Sequence, residues 1–151
     1  MVDELLATLD TVFQDTGCIV EVDIAEEIYV VTYEDALAKV LTHLIQNSVV
    51  HAFGERRIGT IRIEARLLKD GKYLELRVGD NGSGIQLKDL RHVFEPFFST
   101  RLGQGGTGVG LHIVHNIVTS LFGGSIDVLS EVGMGAIFIL KMPRVAPIVP
   151  E

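Results

Sequence analysis

Residues on either side of Asp70-Gly71 pair with one another in a single register. If these two residues form a primed two-residue turn, Lys69 faces Lys72, Leu67 faces Leu74, Arg66 faces Glu75, Ala65 faces Leu76, Glu64 faces Arg77 and Ile63 faces Val78. The apolar pairs then fall on one face and two opposite-charge pairs on the other, as a half-buried antiparallel sheet requires. A slip of one residue would mix the faces. The chain must therefore bury one side of a sheet against something else.

Helices supply that cover. From Tyr33 to Phe53, Leu37, Val40, Leu41, Leu44, Ile45, Val49 and Ala52 recur at three and four, which predicts a long amphipathic helix. The spacing of Leu5, Leu6, Leu9, Val12 and Phe13 predicts an earlier helix over Val2 to Phe13, and another runs from Leu111 to Phe122. Cys18 to Ile24 alternates like a strand, Ile28 to Val31 is a short apolar run, and Ser125 to Leu129 and Ala136 to Met142 read as closing strands. The expected fold class is α+β, a two-layer sandwich with helices on one face of a mixed, mostly antiparallel sheet. One domain spans 1–143. The tail 144–151 follows Pro143 and contains Pro147 and Pro150, so it is expected to leave the sheet and fray.

Composition removes several function classes. With 13 Lys+Arg against 20 Asp+Glu, the net charge is -7. A nucleic-acid binder normally carries a basic face, so no nucleic acid is expected as partner. Cys18 is the single cysteine, which excludes an intrachain disulfide framework and a Cys-rich zinc site. Nothing approaches the roughly 20 apolar residues of a membrane span, and Met1-Val2-Asp3-Glu4 does not resemble a secretory signal. A cytoplasmic location without direct membrane insertion is expected.

Chemistry is sought where glycine concentrates: 12 of the 16 glycines lie between Gly79 and Gly135. Gly105-Gly106-Thr107-Gly108-Val109-Gly110-Leu111 runs into the Leu111 helix, whose free amides and dipole would cradle phosphate. A flexible linker is the ordinary alternative, and neither the P-loop nor the dinucleotide fingerprint is matched. Asp80-Asn81-Gly82-Ser83-Gly84 closes the hairpin's second strand. It reads equally as a capped turn, or as a carboxylate accepting a hydrogen bond from an amine such as that of adenine, with Gly82 and Gly84 making room for the base. On the long helix His43, Asn47 and His51 form one stripe, either a solvated face or a site in which the Asn47 oxygen meets Mg2+ shared with phosphates. Phe94-Glu95-Pro96-Phe97-Phe98 is expected to plug one end of the core and to hinge a lid over Thr100 to Thr107.

Taken in order, Asn47, Asp80-x-Gly82-x-Gly84, Phe94-Glu95-Pro96-Phe97, Gly106-x-Gly108-x-Gly110-Leu111 and Gly133-x-Gly135 resemble the N, G1, F, G2 and G3 boxes of the histidine-kinase catalytic and ATP-binding domain of the GHKL superfamily. The resemblance spans about Leu5 to Met142 and implies the Bergerat fold, with ATP and Mg2+ bound. It implies that Asn47 is the metal ligand and a catalytic residue, and that Asp80 contacts adenine. Gly82 and Gly84 would flank the base, and Gly106, Thr107, Gly108, Val109, Gly110 and Leu111 would surround the phosphates. His51 and Arg101 fall where phosphate-contacting or lid residues lie. Two positions depart from the pattern. Ala136 stands where many relatives have Thr, and His43 stands where the superfamily's ATP hydrolases have a Glu that activates water; His43 is carried as a candidate base.

The function implied is transfer of the ATP γ-phosphoryl to a histidine on a separate dimerisation domain of a parent two-component sensor kinase, with a response regulator downstream in the phosphorelay. His43, His51, His92, His112 and His115 all fall within the boxes or the helices that bear them, so the chain is expected to bind ATP without labelling itself. It is expected to be an excised part of a bacterial-type sensor whose parent is often anchored in the inner membrane. Alternatives within the superfamily are an ATP-hydrolysing clamp resembling gyrase or MutL, an anti-sigma-type serine kinase, and a non-catalytic nucleotide sensor.

Overall fold

The computed structural model describes residues 2–4, 19–24, 28–49, 59–68, 71–96 and 110–147. Its elements are β1 (Val2–Glu4), β2 (Ile19–Ile24), β3 (Tyr29–Val31), α1 (Glu34–Asn47), β4 (Thr60–Leu68), β5 (Tyr73–Asp80), a short α2 (Leu87–Leu90), α3 (Gly110–Asn116) continuing as a π-helical turn (Ile117–Leu121), β6 (Ser125–Glu131) and β7 (Gly135–Pro143). Five strands form the main sheet in the order β2-β4-β5-β7-β6; β1 and β3 form a separate antiparallel pair. Only β2 runs parallel to its neighbour β4, and the other pairs are antiparallel, so the sheet is mixed and mostly antiparallel as expected.

The hairpin adopts the expected register from Ile63↔Val78 to Leu67↔Leu74 and extends to Ile61↔Asp80. Gly71 has φ +83, the left-handed backbone a primed turn demands. Lys69 and Asp70 lie outside the described residues. Ile61, Ile63, Leu74, Leu76 and Val78 face the helices and are buried, with Phe138 and Leu140 beside them on β7. On the other face Arg66 Nε and Arg77 Nε donate to Glu75 Oε1 at 3.1 and 2.9 Å, leaving the Glu75 side chain 4% exposed. Burial alone would push the Glu75 carboxyl up; hydrogen bonds from Arg77 and Arg66, with their charges, hold it below the usual carboxylate range.

Helix α1 buries Leu37, Val40, Leu41, Leu44 and Ile45 on the sheet, the face its three-four spacing predicts. The rest of the helix expected to reach Phe53, from residue 50 on, lies outside the described residues. The last helix departs from the single α-helix expected over Leu111 to Phe122, because Ile117–Leu121 widens into a π turn. Val114, Val118 and Phe122, each four residues on, are all fully buried. A step of four overshoots an α-helical turn by about 40° and undershoots the wider π turn, so the widening keeps all three on the core side.

Two expectations are corrected. Val2 to Glu4 is a strand rather than the start of a helix, because it pairs with β3 at Val2↔Val31, Asp3↔Val30 and Glu4↔Tyr29; Leu5 to Cys18 lie outside the described residues. The tail does not fray over residues 144–147. Val31 N donates to Arg144 O at 2.9 Å, Ala146 N donates to Val31 O at 2.7 Å, and Tyr33 Oη donates to Pro147 O at 2.9 Å. Proline lacks a donor, but here it is needed only as an acceptor.

Candidate nucleotide site

Leu74, Leu76, Val78 and Asp80 are successive positions on the helix-facing side of β5, so the strand's alternation turns the Asp80 carboxylate in beneath α1. Three donors meet it there. Gly82 N and Ala136 N donate to Oδ1 at 3.0 and 3.3 Å, and the Ser48 hydroxyl donates to Oδ2 at 3.0 Å. The carboxylate is thus held by the turn that follows it, by the start of β7 and by the residue after the end of α1.

The loop after Asp80 is laced to the β6-β7 turn. Gly133 N donates to Ser83 O at 2.7 Å, Ile85 N donates to Ser130 Oγ at 2.7 Å, and Ser130 Oγ donates to Gly135 O at 2.7 Å. Gly84 and Gly135 have φ of +78 and +84, and a Cβ on either would overlap backbone, that of Glu131 and of Asp80 respectively. Here glycine permits both the left-handed conformation and the close approach of two turns. Thr60 N, at the start of β4, donates to Asn81 Oδ1 at 3.0 Å and closes the third side.

Asn47, the last residue of α1, precedes Ser48 and lies within the same helix end, half-buried. One turn earlier His43 faces the start of α3, where a Cβ on Gly110 would come 3.3 Å from His43 Nδ1. Burial, aided by the charge of Lys39, holds the His43 imidazole below the usual histidine range. Among the described residues no group of three His, Cys, Asp or Glu encloses a metal position. A single amide oxygen at Asn47 fits an Mg2+ that keeps most of its water and is shared with phosphates, and does not fit an ion held by protein alone.

Phe94 packs edge-on against Phe138, ring centroids 6.2 Å apart, and lies 5.5 Å from the His115 ring. His112 Nδ1 lies 3.2 Å from Phe94 O, tying this turn to α3. Phe94 and buried Val93 thus plug the core at this end, as the aromatic cluster suggests.

Of the residues singled out in the sequence, Asp80, Gly82, Gly84, Asn47, His43, Gly110 and Leu111 fall within the described parts. Hydrogen bonds join Asp80 to Gly82 and to the helix end that carries Asn47. His51, Arg101, Gly106, Thr107, Gly108 and Val109 lie outside the described residues, as does the expected lid over Thr100 to Thr107. Ser48 and Ser130 were not anticipated. Ser48 continues the buried stripe Leu37, Leu41, Leu44 at helical spacing, and a small hydroxyl on an apolar stripe is a signal of a buried partner. Ala136 contributes through its main-chain amide, which needs no side-chain hydroxyl.

The family model described as histidine kinase-, DNA gyrase B-, and HSP90-like ATPase matches residues 32–146. The two-component sensor PprA of Pseudomonas aeruginosa is 35% identical over 115 residues, 75% of this chain and 12% of that protein. The sensor histidine kinase ZraS of Klebsiella oxytoca is 41% identical over 109 residues, 72% of this chain and 22% of that protein. The chain therefore spans less than a quarter of the length of these relatives. Among solved structures, the catalytic domain of histidine kinase ThkA superimposes with a TM-score of 0.81 at 24% identity, over 96% of this chain and 95% of that one. Full-length ShkA in complex with AMPPNP gives 0.79 at 23%, over 100% of this chain and 32% of that one. These two share the fold. The chain belongs to the histidine kinase-, DNA gyrase B- and HSP90-like ATPase family, as a catalytic, ATP-binding domain of the kind found in sensor histidine kinases. The clamp and anti-sigma alternatives are not favoured by these relatives. No helix among the described residues is long and apolar enough to cross a membrane.

Proposed function

We propose that this chain binds ATP with Mg2+ between α1 and the sheet and presents the γ-phosphoryl to a histidine on a separate dimerisation domain of its parent sensor kinase. A response regulator would take the phosphoryl onward, and the domain would work on the cytoplasmic side of the membrane. The observation that carries this reading is the Asp80 carboxylate, fixed by Ser48, Gly82 and Ala136 at the end of β5. A ligand amine such as adenine's would donate to it. Its negative charge does not suit a phosphate.

Phosphoryl transfer requires mainly positioning and charge neutralisation. Asp80 would set the base, with Gly82 and Gly84 in the turn beside it, where Gly84 also lets that turn approach the Glu131 backbone. The resemblance would assign Gly106, Thr107, Gly108, Val109, Gly110 and Leu111 to the phosphates, with His51 and Arg101 as further phosphate contacts. Asn47 would hold the metal through its amide oxygen. Mg2+, when bound, would supply charge neutralisation. His43, favoured in its neutral form, has the protonation state a base requires.

Titration of the chain with ATP, with and without Mg2+, tests the assignment. A hydrogen bond to a charged group is worth about 1.5 to 3 kcal/mol, so Asp80→Ala should weaken binding about tenfold or more. Asn47→Ala should diminish the magnesium dependence. Phosphotransfer to a supplied histidine-bearing dimerisation domain should be lost in both. Unchanged affinity in Asp80→Ala overturns the base assignment.

A further inference from the structure

The two oxygens of Asp80 are not equivalent. Oδ1 takes two main-chain donors, Gly82 N and Ala136 N, whereas Oδ2 takes one donor among the described residues, the Ser48 hydroxyl. A carboxylate oxygen offers two lone-pair directions, so among the described residues Oδ1 is filled and Oδ2 retains one direction for a ligand. The oxygen turned to the ligand is thus the one held by a side chain. That side chain is only 1% exposed with its residue, so water cannot readily replace its hydroxyl.

We infer that Ser48 is a positioning residue for base selection, holding Asp80 Oδ2 as a fixed acceptor that favours a 6-aminopurine over a 6-oxopurine. The inference rests on the proposed ATP site and names a determinant of its specificity. A 6-amino group donates to Oδ2. A 6-oxo group would place a second acceptor against it, and the clash is relieved only if Oδ2 swings away or acquires a hydrogen to donate. Ser48 opposes both, because its O–H occupies one lone pair and pins the carboxylate torsion before any ligand arrives. Its location strengthens the case: Ser48 follows directly on Asn47, so the helix end that serves the phosphate side also anchors the base side.

The test compares ATP with inosine triphosphate, which differs at the 6-position, by competition binding to the whole chain in Mg2+. Wild type, Ser48→Ala, Ser48→Cys, Ser48→Thr and Asp80→Asn are measured. Ser48→Ala should weaken ATP about fivefold, as expected for an indirect loss of one hydrogen bond, while leaving inosine triphosphate unchanged or tighter. The ATP preference therefore falls. Ser48→Cys, close in volume with a weaker donor, should move the ratio the same way, and Ser48→Thr, which keeps the hydroxyl, should restore it. A purely structural role would lower both affinities together, and an unchanged ratio in Ser48→Ala and Ser48→Cys overturns the inference. If Asp80→Asn shifts the ratio while the Ser48 variants do not, the inference alone fails. If wild type binds neither nucleotide, or Asp80→Asn changes nothing, the proposed site fails and the inference with it.

Discussion

Gly135 lies with its α-carbon against the backbone of Asp80, so closely that a Cβ at Gly135 would overlap the Asp80 carbonyl oxygen. Its φ of +84 adds a second reason for glycine. Gly135→Ala should cost about 2 to 5 kcal/mol, from left-handed backbone strain and overpacking together. For a chain of this length the thermal midpoint should drop by about 5 to 15 °C. A thermal melt within 1 or 2 °C of wild type would show that the two turns separate without cost.

His43 links stability to pH. Its imidazole is held below the usual histidine range by burial and by Lys39, so around pH 6 the unfolded chain binds a proton at this site more readily than the native one. Stability then rises with pH; this contribution is present above the unfolded value of about 6.5 and is lost as pH falls through the lower folded value. His43→Gln should lose less stability than wild type between pH 7.5 and 5, a comparison made by urea midpoints. Equal losses in both proteins would contradict the assignment.

Glu75 has the same sign, in the lower pH range of a carboxylate. Held low by Arg77 and Arg66 against the effect of burial, it contributes stability above the carboxylate range and loses it as pH falls through its folded value. Glu75→Gln should destabilise the fold by about 1 kcal/mol at neutral pH, since both arginines are partly solvated. The gap between variant and wild type should narrow below pH 4. A gap constant from pH 7 to pH 3 would remove the ion pairs as its cause.

Removal of residues 144–151 should lower stability by about 2 to 4 kcal/mol, from the loss of the bonds to Val31 and Tyr33 at about 1 kcal/mol each and of local packing. Tyr33→Phe isolates one of those bonds and should cost about 1 kcal/mol. Chemical denaturation of the truncated and full chains decides this, and equal midpoints would show that the tail contributes nothing.

The parts of the fold legible in the sequence are those set by strict periodicity or turn chemistry. The β4-β5 register follows from Arg66 facing Glu75 and Glu64 facing Arg77 around Gly71, and the buried stripe of α1 follows from three-four spacing. Val2–Glu4 is not legible as a strand because three residues carry too little pattern to separate strand from helix, and a distant partner, β3, decides. The π turn was invisible because Val114, Val118 and Phe122 fit an α-helical stripe about as well.

In the candidate site, Asp80 and Gly84 were legible from a carboxylate and glycines crowded at a strand end. Ser48 is less so: a small hydroxyl on the apolar stripe of Leu37, Leu41 and Leu44 signals a buried partner but does not name it, and that partner lies 32 positions away. Ala136 was read through its missing hydroxyl, whereas its contribution is an amide that any residue but proline possesses.

Val31 is flanked on both sides, by Val2 in an antiparallel pair and by Val145 in a parallel bridge. Positions 2 and 145 thus sit two strand spacings apart, about 10 Å, a gap that three or four residues can bridge. A circular permutant joined there, and reopened at the Gly71 turn, would keep the β2-β4-β5-β7-β6 order while reversing which half of the sheet is synthesised first.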